Sequence, residues 1–112
     1  EEEEKFARNL EDYYRICFAH PAVGGILLWG FWEGANWIPA SSLYKKDWTS
    51  TLLLNAYQSL VFDEWWTKFK GKSNGEGYCI IRAYFGTHKI KVNGVEKTIE
   101  IKKENKAAFI EF

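Results

Sequence analysis

Residues 15–30 read RICFAHPAVGGILLWG, and this stretch decides the fold that we expect for the chain. Its first part closes a helix, because a residue that precedes proline avoids the helical region and His20 precedes Pro21. Its second part, residues 23–30, is a short apolar run with no alternation of apolar and polar residues. Such a run is typical of a strand that is buried on both faces, as in a parallel sheet.

A helix is predicted on each side of this strand. Residues 2–19 carry apolar side chains at helical spacing, and the leading glutamates suit the positive end of a helix dipole. The expected apolar stripe consists of Phe6, Leu10, Tyr13 and Cys17. Residues 50–69 repeat the helical spacing, with Thr49 or Ser50 as the expected cap. The chain therefore begins as helix, strand and helix.

The remainder predicts short β-strands. After a linker-like break at residues 71–75, strands are expected at 78–85, 88–92, 95–103 and 107–112. Asn93 and Gly94 form the strongest short hairpin signal, because both turn positions require positive φ. The implied register places Val92 opposite Val95 and Ile90 opposite Lys97. We therefore predict two structural units, 1–70 and 71–112, whose net charges are −3 and +3.

Composition excludes several classes of function. The chain of 112 residues has no net charge, which argues against nucleic acid as a partner. No apolar run approaches 18 residues, so no membrane span is predicted. Two cysteines are too few for a disulfide scaffold or a zinc site; buried free thiols are expected, with a Cys17–Cys79 bridge as the alternative. Without metal-ligand spacing or a glycine-rich phosphate loop, no metal or cofactor is expected.

The candidate site follows the predicted strand. Residues 31–48 form a loop that is too long and too aromatic to be a mere connection. Sites in α/β folds lie at the carboxyl ends of parallel strands, and indole faces beside polar groups suit the apolar face and the hydroxyls of a sugar ring. The alternative is a hydrophobic plug that closes the end of a small domain. The candidate substrate-binding residues are Trp29, Trp32, Glu33, Asn36 and Trp37.

Glu33 does not define a glycosidase active site by itself. Glycoside hydrolysis usually requires two carboxyl groups in separate roles. Asp47, Asp63 and Glu64 are not obvious partners, because the first lies among lysines and the others lie on a predicted helix. We therefore expect Glu33 to order the loop or to bind a hydroxyl.

The run from Arg15 to Gly30 resembles the last helix–strand junction of glycoside hydrolase family 10. Members commonly show His-Pro-x-Val, then Gly, then Trp-Gly at the end of the eighth barrel strand, and a second Trp eight positions after the first. Trp29 and Trp37 keep that spacing. Residues 63–67 are similar to the closing helix of the family, and residues 75–112 to a small β extension that some members carry. The resemblance thus covers nearly the whole chain.

The resemblance implies that the chain is an α/β fragment, the last helix–strand–helix of a (β/α)8 TIM barrel followed by a small antiparallel β tail. The family hydrolyses β-1,4-xylan with retention, using two glutamates on its fourth and seventh strands. Those strands would precede Glu1, so no catalytic residue is expected in this chain. Trp29 and Trp37 match the two aromatic residues around the cleavage point. Glu33 stands where many members have Asp, and Trp32 departs from a commoner small or polar residue.

The resemblance also implies a setting and partners. The parent would be a secreted endo-1,4-β-xylanase. The acidic amino terminus is the opposite of a basic signal-peptide start, so either the protein is intracellular or, as we expect, the chain begins inside a longer precursor. The parent's partner would be xylan or a xylo-oligosaccharide, and the chain would also contact the rest of the barrel or a second copy of itself. Two rivals stay open: a non-catalytic carbohydrate-binding module, and a protein-interaction module that uses the aromatic loop.

Overall fold

The computed structural model describes residues 1–105 and 107–112, which form two compact units. The first unit is Glu1–Trp65 and the second is Trp66–Phe112. The boundary falls five residues before the one expected from composition. Within the described part of the chain, no helix is long and apolar enough to cross a membrane.

The first unit begins with helix α1, Glu2–Ala19, as predicted. The position of its apolar stripe differs from the prediction at one residue: Tyr14 is buried, whereas Tyr13 is 60% exposed. Residues 13 and 14 fit a 3.6-residue period almost equally well, so the neighbouring helix decides between them. Tyr14 meets Tyr57 edge to face, with ring centroids 5.9 Å apart.

The second helix, α2, spans Leu52–Gln58 and continues as a π-helical turn over Ser59–Glu64. It is shorter than the predicted 50–69. Thr51, rather than Thr49 or Ser50, caps it, because its hydroxyl accepts a hydrogen bond from the Leu54 amide. The same hydroxyl lies 2.9 Å from the carbonyl oxygens of Ser42 and Leu43, which ties the helix start to the preceding loop.

A small core joins the two helices to that loop. Leu43, Leu53 and Leu54 form its centre. Around them pack the partly buried side chains of Phe6, Ala7, Leu10, Tyr44 and Tyr57. Two polar contacts add to the helix pairing: Glu3 accepts a hydrogen bond from the Leu52 amide at the start of α2, and Arg15 binds Glu64.

The predicted buried strand at residues 23–30 is not formed. No residue of this segment belongs to a strand, and its side chains are largely exposed: Leu27 at 90% and Trp29 at 93%. A strand requires neighbours for its amides and carbonyls, and no described residue pairs with this one. Assignment to a (β/α)8 barrel stays a prediction, because two helices and one hairpin are too few elements to define a barrel.

The second unit contains the predicted hairpin. Strand β1, Gly86–Val92, pairs antiparallel with β2, Val95–Ile101, in the predicted register. Asn93 and Gly94 both have positive φ, at 48° and 84°, which confirms the turn. The strands predicted at 78–85 and 107–112 are not formed, since two strands leave little apolar surface to recruit a third.

Both cysteines are free. Cys17 is half-buried on α1, in agreement with the expected buried thiol. Cys79 is exposed, so that expectation was wrong for this residue: the apolar segment around it is not covered because the strand predicted there is not formed.

Candidate functional site

The loop from Phe31 to Ser50 is held by backbone hydrogen bonds despite its lack of regular structure. The carbonyl of Phe31 accepts from the amides of Leu43 and Tyr44, both at 2.9 Å. Trp32 and Tyr44 form an isolated parallel bridge, and Tyr44 also bridges Ser50. A short 3₁₀ turn at Pro39–Ser41 closes the middle of the loop. These contacts fold the loop back on itself and fix the points from which its side chains project.

Trp29 and Trp37 are the two candidates that project into solvent. Their exposed fractions are 93% and 87%. Within residues 1–105 and 107–112, neither indole stacks on another ring or donates a hydrogen bond. Within the described structure, these two residues therefore do not form the hydrophobic plug of the alternative interpretation, because a plug would bury them.

Asn36 connects the backbone next to both of these tryptophans. Its side-chain amide donates to the hydroxyls of Ser41 at 3.2 Å and Ser42 at 2.8 Å. Its amide oxygen packs so closely on Gly30 that a Cβ there would lie 2.9 Å away. Asn36 precedes Trp37 and touches the residue that follows Trp29, so the two exposed indoles leave the backbone at neighbouring points. We assign Asn36 a positioning role.

Trp32 belongs to the scaffold of the loop. Its indole nitrogen donates to the carbonyl of Lys46 at 3.3 Å. Its ring stacks on Trp48, with centroids 5.4 Å apart and planes 13° from parallel. The ring also covers Gly34, where a Cβ would come within 2.2 Å of it. Only glycine leaves room for this arrangement.

Glu33 also braces the loop. Its carboxylate accepts a hydrogen bond from the Lys46 amide at 2.9 Å, and its own amide donates to the Tyr44 carbonyl. This contact agrees with the expected ordering role.

Trp48, a third tryptophan of the loop, was not among the candidates although its residue type gave a signal. Trp48 is 59% exposed and has a φ of 67°, which is unusual for a bulky residue. Next to it, Asp47 accepts hydrogen bonds from the amide and the hydroxyl of Thr49. These bonds, the one from the hydroxyl above all, hold the pKa of the Asp47 carboxyl below its usual range.

A shallow cavity of about 300 Å³ lies on this unit but does not include the tryptophans. Its walls come from the start of α1 and from loop residues such as Glu33, Tyr44 and Lys45. Of the candidate residues, Glu33 lines this cavity, whereas Trp29 and Trp37 form an exposed aromatic surface outside it. No group of three or more His, Cys, Asp or Glu side chains that could hold a metal is found where the structure describes the chain.

Two curated proteins are similar to most of this chain. The anti-sigma-I factor RsgI6 of Acetivibrio thermocellus is 38% identical over 92 residues, which are 81% of this chain. Endo-1,4-beta-xylanase 3 of Arabidopsis thaliana is 32% identical over 84 residues, 75% of this chain. The matched stretches amount to 12% and 11% of those proteins, so the chain spans about a tenth of either. No protein-family model matches the chain.

The similarity to the plant enzyme supports a glycoside hydrolase-like class for this segment. The two matched stretches must overlap over more than half of this chain, because they cover 81% and 75% of it. A segment of this kind therefore occurs in one protein named as an enzyme and in one named as a regulator.

Proposed function

We propose that this chain is the carboxy-terminal, sugar-binding part of a protein related to retaining endo-1,4-β-xylanases of glycoside hydrolase family 10. It binds β-1,4-linked xylan or xylo-oligosaccharide through Trp29 and Trp37, and it performs no hydrolysis by itself. The observation that carries the proposal is the exposure of these two indoles, 93% and 87%, on a loop whose other polar and aromatic residues brace it. The parent protein is proposed to be extracellular.

The physical basis is the match between an indole and a pyranose. Large apolar faces are costly to leave in water, since each aromatic side chain buries roughly 150–250 Å² when covered. A sugar ring covers such a face with its C–H groups while its hydroxyls stay hydrated. Rigid placement by Asn36 and Gly30 reduces the entropy that is lost on binding.

The structural contacts of three carboxylates support binding without hydrolysis. Hydrolysis requires a pair of carboxyl groups about 5–9.5 Å apart across the scissile bond. Glu33 holds the Lys46 amide, Asp47 holds Thr49, and Glu64 is paired with Arg15. A binding role also suits a segment that an enzyme and a regulator share.

The exposed segment at residues 23–28 supports a larger assembly. Leu27 is 90% exposed, and the backbone of this segment has no strand partner among the described residues. In the proposed barrel, residues 23–30 are the eighth strand. Its two neighbouring strands pair with its backbone, while the barrel interior and the outer helices bury its two faces.

A second candidate, a protein-interaction module, is favoured by the same segment. Residues 24–28 have no strand partner among the described residues and include the exposed side chains of Leu27 and Leu28. A segment of this type can add a strand from another chain. Similarity to an anti-sigma factor points in the same direction, because its name implies a protein partner. If the chain is a protein-interaction module, analytical ultracentrifugation should show self-association, and added xylo-oligosaccharides should not change it.

The test of the proposal is a titration of the chain with xylohexaose, followed by tryptophan fluorescence, with cellohexaose alongside. We expect a saturable change with xylohexaose and a weaker one with cellohexaose. Equal responses to both sugars would move the proposal from xylan to β-1,4-glycans in general. No saturable change with either sugar would contradict sugar binding and favour the interaction module.

A further inference from the structure

Trp48 occupies a backbone conformation that its side chain does not favour. Its φ of 67° lies in the left-handed region, where glycine and asparagine are common and bulky residues are rare. The turn is closed by two hydrogen bonds of 2.9 Å: the Trp48 amide donates to the Lys45 carbonyl, and the Lys45 amide donates to the Thr49 carbonyl. A strained aromatic residue on an exposed loop calls for an explanation beyond the core, since strain of this kind is often found at ligand sites.

The strained turn presents the Trp48 indole on a fixed support. One face stacks on Trp32, and the edge lies against Tyr44 at a centroid distance of 6.0 Å. Trp32 is itself fixed through its bond to the Lys46 carbonyl. Trp48 is still 59% exposed and stacks on Trp32 with one face, so the outer face of its indole is available. The pair is thus a rigid, flat platform with one free side.

A polar acceptor, Asp47, directly precedes Trp48 in the chain. The Asp47 carboxylate uses Oδ1 for both contacts with Thr49, and a carboxylate has two acceptor oxygens. An ionised carboxylate next to a free aromatic face is the combination that binds a pyranose, the face covering C–H groups and the oxygen accepting from a hydroxyl. The lysines at 45 and 46 are exposed and give no apolar continuation of the platform, which argues against a protein partner here.

We propose that Trp48, supported by Trp32, is a second sugar-stacking platform, which binds a pyranose ring of the same oligosaccharide beyond the residues held at Trp29 and Trp37. This inference rests on the proposed function. In this arrangement, Trp48 contacts the sugar and Trp32 supports Trp48 by stacking on its other face. The platform extends the binding surface, so its contribution depends on the length of the ligand.

The test compares ligands of two lengths on the full chain. We expect Trp48→Asn to weaken binding of xylohexaose roughly three- to tenfold, the range of one aromatic contact, and to leave xylobiose binding unchanged. Asparagine suits the left-handed backbone, so the loop conformation is retained. Trp48→Phe should keep most of the affinity. Trp66→Ala, which removes a tryptophan of similar exposure at 57%, is the matched control and should change neither ligand.

A second readout uses the unaltered chain and does not depend on how a variant folds. Saturating xylohexaose should protect Trp48 from oxidation by N-bromosuccinimide, detected by peptide mass spectrometry, and should leave Trp66 reactive. Two results would overturn the inference and leave the proposed function standing. One is that Trp48→Asn binds xylohexaose with unchanged affinity. The other is that the unaltered chain binds xylohexaose but Trp48 is not protected from oxidation. No binding of xylohexaose to the unaltered chain would overturn the proposed function and, with it, this inference.

Discussion

Side chains of the loop between residues 29 and 48 divide sharply by exposure. Trp29 and Trp37 are nearly free, whereas Trp32, Glu33 and Asn36 each make hydrogen bonds within the loop. All five were candidates from sequence, because residue type and position after the apolar run indicated a site. Their division could not be predicted, since the partner of Trp32 and Glu33 is Lys46, more than ten residues away.

Glu33→Gln tests the bracing role of this carboxylate. Glutamine keeps an acceptor for the Lys46 amide but loses the charge, so we expect a loss of unfolding free energy of about 1 kcal/mol or less. Urea denaturation followed by circular dichroism measures it. In a reducing-sugar assay, neither the unaltered chain nor the variant should release sugar from xylan. Hydrolysis by the unaltered chain that Glu33→Gln abolishes would mean that Glu33 is catalytic after all.

Gly34→Ala tests the packing of Trp32 on the backbone. The new Cβ would lie 2.2 Å from the Trp32 ring, so the ring must move and lose its stack on Trp48. We expect a loss of about 1–3 kcal/mol in unfolding free energy, as for overpacked positions in general. Gly25→Ala is the control in the same unit, because a Cβ there meets nothing within 4 Å. Equal stability of the two variants would show that the ring does not rest on Gly34.

Helices and the hairpin were the elements best predicted from sequence. The bounds of α1 and the register of the hairpin depend on local signals, namely the glutamates, His20-Pro21 and Asn93-Gly94. The end of the second helix was not predictable in the same way. Its last turn is π-helical, with the Trp65 amide donating to the Leu60 carbonyl, and Trp65 then stacks on Phe18 with centroids 4.0 Å apart. That stack is a tertiary contact that no local pattern reveals.

The pair of helices should be sensitive to acid through one ion pair. Arg15 binds the Glu64 carboxylate through two hydrogen bonds, of 2.5 and 2.7 Å, and these bonds lower the pKa of Glu64. A lowered folded-state pKa stabilises the fold above the ordinary glutamate pKa of about 4.3, and this contribution is lost as the pH falls through the lowered value.

Thermal melts from pH 7 to pH 2.5 of the chain and of Glu64→Gln test this expectation. Above about pH 5 the variant should melt at a lower temperature than the unaltered chain, and the gap should close below the ordinary glutamate pKa. Added salt should narrow the gap at neutral pH, because both side chains are more than 40% exposed. A gap that stays constant from pH 7 to pH 2.5 would show that the ion pair does not stabilise the helix pairing.

For the molecule as a whole, the strands outside the hairpin were the least successful prediction. Residues 23–30 and 78–85 have strand-like composition, but neither forms a strand in the structure. Most strands need hydrogen-bond partners that are distant in sequence. A helix forms its backbone hydrogen bonds within itself, and each strand of a hairpin pairs with the strand across a two-residue turn. In the proposed barrel, such partners are strands that lie outside this chain.

The most direct test of sugar binding is the xylohexaose affinity of the chain after both exposed indoles are removed. Because Trp29 and Trp37 are almost fully exposed, Trp29→Ala/Trp37→Ala should fold with nearly unchanged stability, so a loss of affinity reports on binding alone. We predict that isothermal titration calorimetry detects xylohexaose binding to the unaltered chain and to Trp66→Ala, and none to the double variant. Binding of equal strength to the double variant, or no binding to the unaltered chain, would contradict the proposed sugar site.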